Sequence, residues 1–164
     1  ASWFWSMAQF FAITVSLIFI YRQVRAQRQT NLLQSITSLD NRWNSVEMLA
    51  SRKRACETYL TDQLKIKREQ CDVISFFEDI GVYLEKKVFD SDSLWDKYSY
   101  YIEHYWAMYQ PHIVEFRATT KDPTWYEKFE MLKDRMEEVS KKKGLKTVGK
   151  TKEEIKKFIA AEKD

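Results

Sequence analysis

The residues able to do chemistry in this chain are few. It holds two histidines, His104 and His112, and two cysteines, Cys56 and Cys71. His112 stands five positions before Arg117, which places an imidazole and a guanidinium within about one and a half turns of a helix. Such a pair suits metal-independent RNA cleavage, in which arginine supports the phosphate and histidine shuttles the proton. The bland alternative is structural: Arg117 pairs with an acidic neighbour such as Glu130, and His112 is a helix-end or interface residue. Glu78 and Asp79 are adjacent carboxylates, so on a helix they point about 100° apart and do not share one substrate. Cys56 and Cys71 form no CxxC, and a reducing cytoplasm keeps both as thiols. The chain has no glycine-rich phosphate loop, HExxH, metal-spaced Cys/His cluster or nucleophile elbow. The expectation is therefore no enzyme, no metal, no cofactor and no small-molecule substrate.

The element around which these residues must be arranged is Trp3 to Tyr21. Nineteen residues pass without an ionisable charge before Arg22. At ~1.5 Å per residue they reach roughly 28 Å, close to the ~30 Å thickness of bilayer hydrocarbon. Trp3, Phe4 and Trp5 stand at one end and Tyr21 at the other, where amphipathic rings favour the two interfaces. A lone span through hydrocarbon must be helical, since every backbone group has to be paired internally. A signal peptide would carry its basic residues before the apolar run, whereas Arg22, Arg25 and Arg28 follow it; a buried core helix is the other alternative. Those arginines place the N-terminus outside and the rest in the cytoplasm, as a single-pass membrane protein. They also suit anionic membrane lipid as a partner.

The span carries a polar row. Steps of four and three residues give Ser2, Ser6, Gln9, Ile13, Ser16, Ile20, Gln23 and Gln27, continuing to Thr30 and Gln34. A 3.5-residue step draws one face of a supercoiled helix. Serine and glutamine facing lipid are poorly satisfied; against neighbouring helices or water they form hydrogen bonds. Either the row glues copies of the helix together, or copies ring an aqueous path lined by Ser6, Gln9 and Ser16. Both readings require a homo-oligomer.

The remainder is all-α. With three glycines and two prolines, hairpin-rich β architecture is excluded. Apolar positions at three- and four-residue steps predict a helix from Gln29 to about Leu64 that continues the membrane helix without a break. Lys65–Gln70 is a bend or an exposed turn of helix. Val73, Ile80, Leu84 and Val88 mark the next helix, with Phe76 or Phe77 on the same face; Gly81 within it predicts close approach by a neighbour, most simply an aromatic ring. Asp90 to Ser93 supplies N-cap residues for a helix bearing Tyr98, Ile102, Tyr105 and Trp106. Pro111 is expected to kink or break that helix. Asp122-Pro123 reads as the cap and first turn of another, ended by Lys141-Lys142-Lys143-Gly144. Thr151 to Glu154 reads as a capping box before a short amphipathic helix carrying Ile155, Phe158 and Ile159. The charge runs in blocks: ten basic and five acidic residues over 22–70, eight and fifteen over 71–140, nine and four over 141–164. The implied organisation is a transmembrane helix at 1–21, a cytoplasmic helical bundle at 22–140, and a basic tail at 141–164.

The segments FFEDIG at 76–81, Tyr105-Trp106, Pro111, Ile113, Arg117 and FEML at 129–132 resemble a bacterial family of small single-span membrane proteins with a helical cytoplasmic domain. Within that family the chain is similar to accessory membrane proteins encoded beside type VI-B CRISPR effectors, which target RNA. The resemblance implies a divergent HEPN-like domain, and assembly into a membrane pore that strengthens antiphage defence by permeabilising or depolarising the inner membrane. It also implies an RNA-guided effector, or RNA, as a further partner. HEPN ribonucleases place the arginine four to six residues before the histidine. Here the order is His112 then Arg117, which puts nuclease activity in doubt. The competing implication is a membrane-tethered adaptor or RNA-processing module whose helix is only an anchor.

Overall fold

A computed structural model describes residues 2–61, 64, 72–145 and 150–163, without the side chains of Ser2, Arg28, Gln29 and Lys163. Cys71 and the Lys65–Gln70 stretch lie outside the described residues. Six helices and no strand occur among the described residues: α1 Ser2–Trp43, α2 Val46–Leu60, α3 Asp72–Glu85, α4 Ser91–Thr120, α5 Glu127–Lys142 and α6 Lys152–Lys163. The all-α expectation holds. The chain divides into two compact units, 1–42 and 43–164.

The first unit is helix. α1 runs for 42 residues, about 63 Å at the standard rise. Every side chain from Trp3 to Tyr21 is exposed, and α1 is the one helix among the described residues long and apolar enough to cross a membrane.

The second unit begins where the sequence suggests no break. α1 ends at Trp43 and α2 starts at Val46, so the uninterrupted rod expected through Leu64 is corrected. The device is a cap rather than a glycine or proline. Ser45 adopts an extended backbone, and its Oγ accepts from the Met48 N–H at 3.2 Å, satisfying one of the orphan amides of α2. The turn places Trp43 in the aromatic core, 4.9 Å from Phe76 and 5.1 Å from Tyr101.

α3 and α5 meet at Gly81. A Cβ there would run into the Lys128 carbonyl, lying 2.7 Å from its carbon. The close approach is as expected, but the neighbour is helix backbone, not an aromatic ring. Beside it Phe77 stacks on Phe129 at 5.0 Å, and Trp106 of α4 meets Phe129 edge-on at 5.1 Å. α4 starts as expected, with Asp90 accepting from the Ser93 N–H at 2.8 Å. It runs through Pro111 to Thr120, so a break there is excluded. A proline inside a helix costs ~3 kcal/mol, and the fully buried Met108 and Ile113 on either side offset that cost through packing.

Asp122-Pro123 does not start α5. Asp122 instead closes a local turn, accepting from the Thr124 N–H and hydroxyl at 2.9 and 2.7 Å. α5 begins only after Tyr126, which is left-handed with φ 59° and offers no side-chain cap. The cap comes from another helix: the Glu78 carboxylate accepts from the N–H groups of Lys128 and Phe129 at 3.3 and 2.7 Å. α5 ends as expected at the lysine run, with Gly144 at φ 73° in the left-handed region glycine tolerates.

The capping box before α6 is formed. Glu154 accepts from the Thr151 N–H at 2.7 Å, and Thr151 Oγ accepts from the Glu154 N–H at 3.2 Å. Ile155, Phe158 and Ile159 are buried, so the segment read as a basic tail contributes its apolar face to the bundle core.

Candidate functional site

The His112–Arg117 pair does not converge. Both residues lie on α4, where five positions correspond to roughly 140° of rotation. Arg117 is held structurally: Nε donates to the Trp125 carbonyl at 2.8 Å and Nη1 to Glu130 at 2.8 Å. This is the bland reading of Arg117; it takes up Nε and Nη1, while Nη2 is buried without a hydrogen-bond partner among the described residues. His112 lines a pocket formed with α2 and α6. The other histidine is a packing residue. His104 stacks on Phe158 at 4.7 Å, and its Nδ1 donates to the Tyr100 carbonyl at 2.6 Å, because a carbonyl can only accept. Burial pushes its pKa down, favouring the neutral ring.

Glu78 and Asp79 line a separate pocket with Asp122, but Glu78 is occupied as the cap of α5. Burial drives its carboxyl above the ordinary range, with the two backbone donors acting against that rise. Among the described residues no group of three His, Cys, Asp or Glu side chains could hold a metal ion. Cys56 is fully buried.

Sequence reasoning missed one polar cluster. Arg52 of α2 donates through Nε and Nη2 to both carboxylate oxygens of Glu162 in α6, at 2.7 and 2.6 Å. Tyr105 of α4 donates its hydroxyl to the same carboxylate at 2.8 Å. The guanidinium lies 4.3 Å over the Trp43 ring, a cation–π arrangement. Arg52 and Glu162 stand 110 positions apart, so no local spacing could reveal them. A buried tyrosine proton shared with a carboxylate has little tendency to leave, and the Tyr105 pKa is strongly raised, first by burial and then by Glu162.

What remains as a site on α1 is the polar row. Ser6, Gln9, Ile13, Ser16, Ile20, Gln23 and Gln27 are all exposed, as are Arg22 and Arg25; the side chains of Ser2 and Arg28 lie outside the described set. Ser6 to Ser16 spans about 15 Å of helix. The row is uneven in its needs. Ser16 donates its hydroxyl to the Ala12 carbonyl at 2.8 Å, so its proton is satisfied within the helix. An amide side chain such as Gln9 carries two donors and an acceptor, more than one turn of its own helix supplies.

A family model for a domain of unknown function, DUF4760, matches residues 6–136. The chain belongs to the DUF4760 family. No curated protein and no solved structure matches it. The DUF4760 match begins inside the apolar part of α1 and ends within α5. It therefore takes in Ser6 to Gln27 of the polar row together with the bundle. α6 lies beyond the matched residues of this DUF4760 protein, although its apolar face is buried in the bundle core.

Proposed function

We propose that this DUF4760 protein is a homo-oligomeric membrane effector, not an enzyme. Copies of α1 cross the inner membrane with the N-terminus outside, and their polar rows ring an aqueous path. The observation that carries the reading is an apolar helix of membrane length, exposed over its whole apolar stretch, bearing an uncharged polar row that includes the Gln9 amide. Lipid covers the apolar face; other copies or water can serve the Gln9 amide, which has more donors and acceptors than one turn of its own helix supplies. The chain's likeness, within the family that residues 76–81, Tyr105-Trp106, Pro111, Ile113, Arg117 and 129–132 resemble, to accessory membrane proteins of RNA-targeting CRISPR loci supports antiphage defence as the setting. Permeabilising or depolarising the membrane is the mode of action. The Arg117–Trp125–Glu130 bonds support a structural role for the residue a ribonuclease would use.

One observation favours the adaptor reading. The internal hydrogen bond of Ser16 lets that hydroxyl face lipid at little cost, as a plain anchor permits. Paired substitutions separate the two. Gln9→Leu removes the amide and improves hydrophobicity, so insertion is retained, while a dry ring at that depth gates by dewetting. Phe10→Leu, off the row, is the control. A pore loses phage-induced membrane depolarisation with Gln9→Leu alone; equal behaviour of the two variants at equal protein level refutes the pore. Cysteines placed at Ser6 or Gln9 should cross-link into ladders in native membranes, and a monomer alone would exclude self-association.

A further inference from the structure

The bundle holds a pocket that the polar row of α1 does not account for. It lies between α2, α4 and α6 and encloses about 420 Å³, within the ~300–1,000 Å³ common for small-ligand sites. Its floor is apolar, formed by Leu64, Ala107 and Met108, with Leu60 at the rim. Met108 is fully buried, whereas Leu60 keeps 49% of its surface exposed at the mouth. The polar groups are sorted by charge. Lys152 and Lys156 line the pocket from consecutive turns of α6, His112 joins them from α4, and no carboxylate is among the described lining residues. Lys156 has an acidic neighbour, but Glu153 is 3.7 Å away with both side chains well exposed, so the ammonium remains available to a ligand. The pocket beside Glu78 has the opposite lining, with Glu78, Asp79 and Asp122; the cationic rim is thus a property of this place, not of the whole surface.

We infer that this pocket binds a single-chain anionic amphiphile. The tail covers Leu60, Leu64 and Met108, and the head group sits between Lys152 and Lys156 within reach of His112. A neutral apolar ligand would leave the two ammonium groups without use. A free phosphate or nucleotide would leave the leucine and methionine floor wet. An anionic head on an acyl chain meets both demands, and a fatty-acid carboxylate or a lysophospholipid phosphate supplies it.

The test uses the full chain in phosphatidylcholine nanodiscs with a photoactivatable palmitate, and reads the labelled peptides by mass spectrometry. Label is expected on the peptides holding Leu60 and Met108. Label on α1 reports membrane contact independently: its absence would count against the membrane reading while leaving the pocket result legible. Lys152→Glu with Lys156→Glu should lower pocket labelling about five-fold relative to the native chain, the equivalent of about 1 kcal/mol for two exposed ion contacts. The first of these changes puts an acid in the opening turn of α6, which the helix dipole favours, so circular dichroism should show the fold retained. Ala107→Leu should lower labelling by filling the floor. Unlabelled palmitate or lysophosphatidic acid should compete, the stronger of the two naming the natural head group, and palmityl alcohol should not. Pocket peptides without label, charge reversal without effect, or equal competition by the alcohol would each overturn the assignment.

Discussion

Glu162→Gln tests whether α6 belongs to the core. The Glu162 carboxylate receives two bonds from Arg52 at 2.6–2.7 Å and one from Tyr105 at 2.8 Å. The Arg52 and Glu162 side chains keep only 9% and 6% of their exposure, so water cannot replace the lost charge. Removing one partner of such a pair costs ~3–5 kcal/mol, most of it the penalty of leaving the other charge buried. For a bundle of this size each kcal/mol lowers the midpoint by roughly 3–5 °C, so a fall on the order of 10–20 °C is expected. Trp43 sits beneath the guanidinium, and tryptophan fluorescence during thermal or urea unfolding provides the readout. Replacing both partners together, Arg52→Met with Glu162→Leu, should recover much of the loss, because no buried charge then remains. A Glu162→Gln midpoint within 2 °C of the native chain would refute the placement of α6 and the reasoning built on it.

Gly81→Ala forces a methyl group onto the Lys128 carbonyl and should cost ~1–3 kcal/mol by overpacking, read as a lower urea midpoint at an unchanged slope. His104 gives the stability a pH dependence: because its folded pKa is lowered, the unfolded chain takes up the proton first. Its contribution is complete above about pH 6.5 and is lost as the pH falls below that value; His104→Gln should flatten this part of the stability profile. Purified protein should not cut RNA, and Arg117→Ala should act by losing ~1–3 kcal/mol of charge-assisted bonding. Metal-independent cleavage that vanishes in His112→Ala with the oligomer intact would reverse that conclusion.

Local rules made much of the bundle legible. The Asp90 cap, the Thr151–Glu154 box, the lysine stop before Gly144 and the apolar faces of α3 to α6 are set by residues within four positions of one another. What local rules missed depends on distant partners. Nothing near Tyr126 predicts that a carboxylate from α3 will cap α5, so Asp122-Pro123 looked like the better start; the Asp122 carboxylate is engaged by Thr124 instead. The end of α1 at Trp43 follows the same logic. Helix propensity allows the rod to continue, but Ser45 can cap a new helix and Trp43 packs against the rings of Phe76, Phe77, Tyr98, Tyr101 and Tyr105 in the core, and together these outweigh the cost of ending one helix and starting another. The reversed order of His112 and Arg117 was visible in the sequence, and the separation of the two around α4 agrees with it.

The choice between anchor and pore turns on how polar groups on one helix are satisfied. Thr14 and Ser16 both donate to carbonyls four residues back, which removes most of the desolvation cost of facing lipid. Such residues need no partner helix, which suits a plain anchor, but they do not exclude a pore. Glutamine differs, because its amide keeps further donors and an acceptor to place, and in hydrocarbon each unmet group is costly. Gln9 stands six residues in from Trp3, about 9 Å from that end of the apolar stretch at the standard helical rise, inside the hydrocarbon rather than at its edge. An isolated anchor would carry that cost for no return. Copies packed side by side, or an aqueous path between them, offset it, and the same packing aligns Gln9 with Ser6 on one inward face. Gln9, rather than the serines, is therefore the residue whose replacement decides the function.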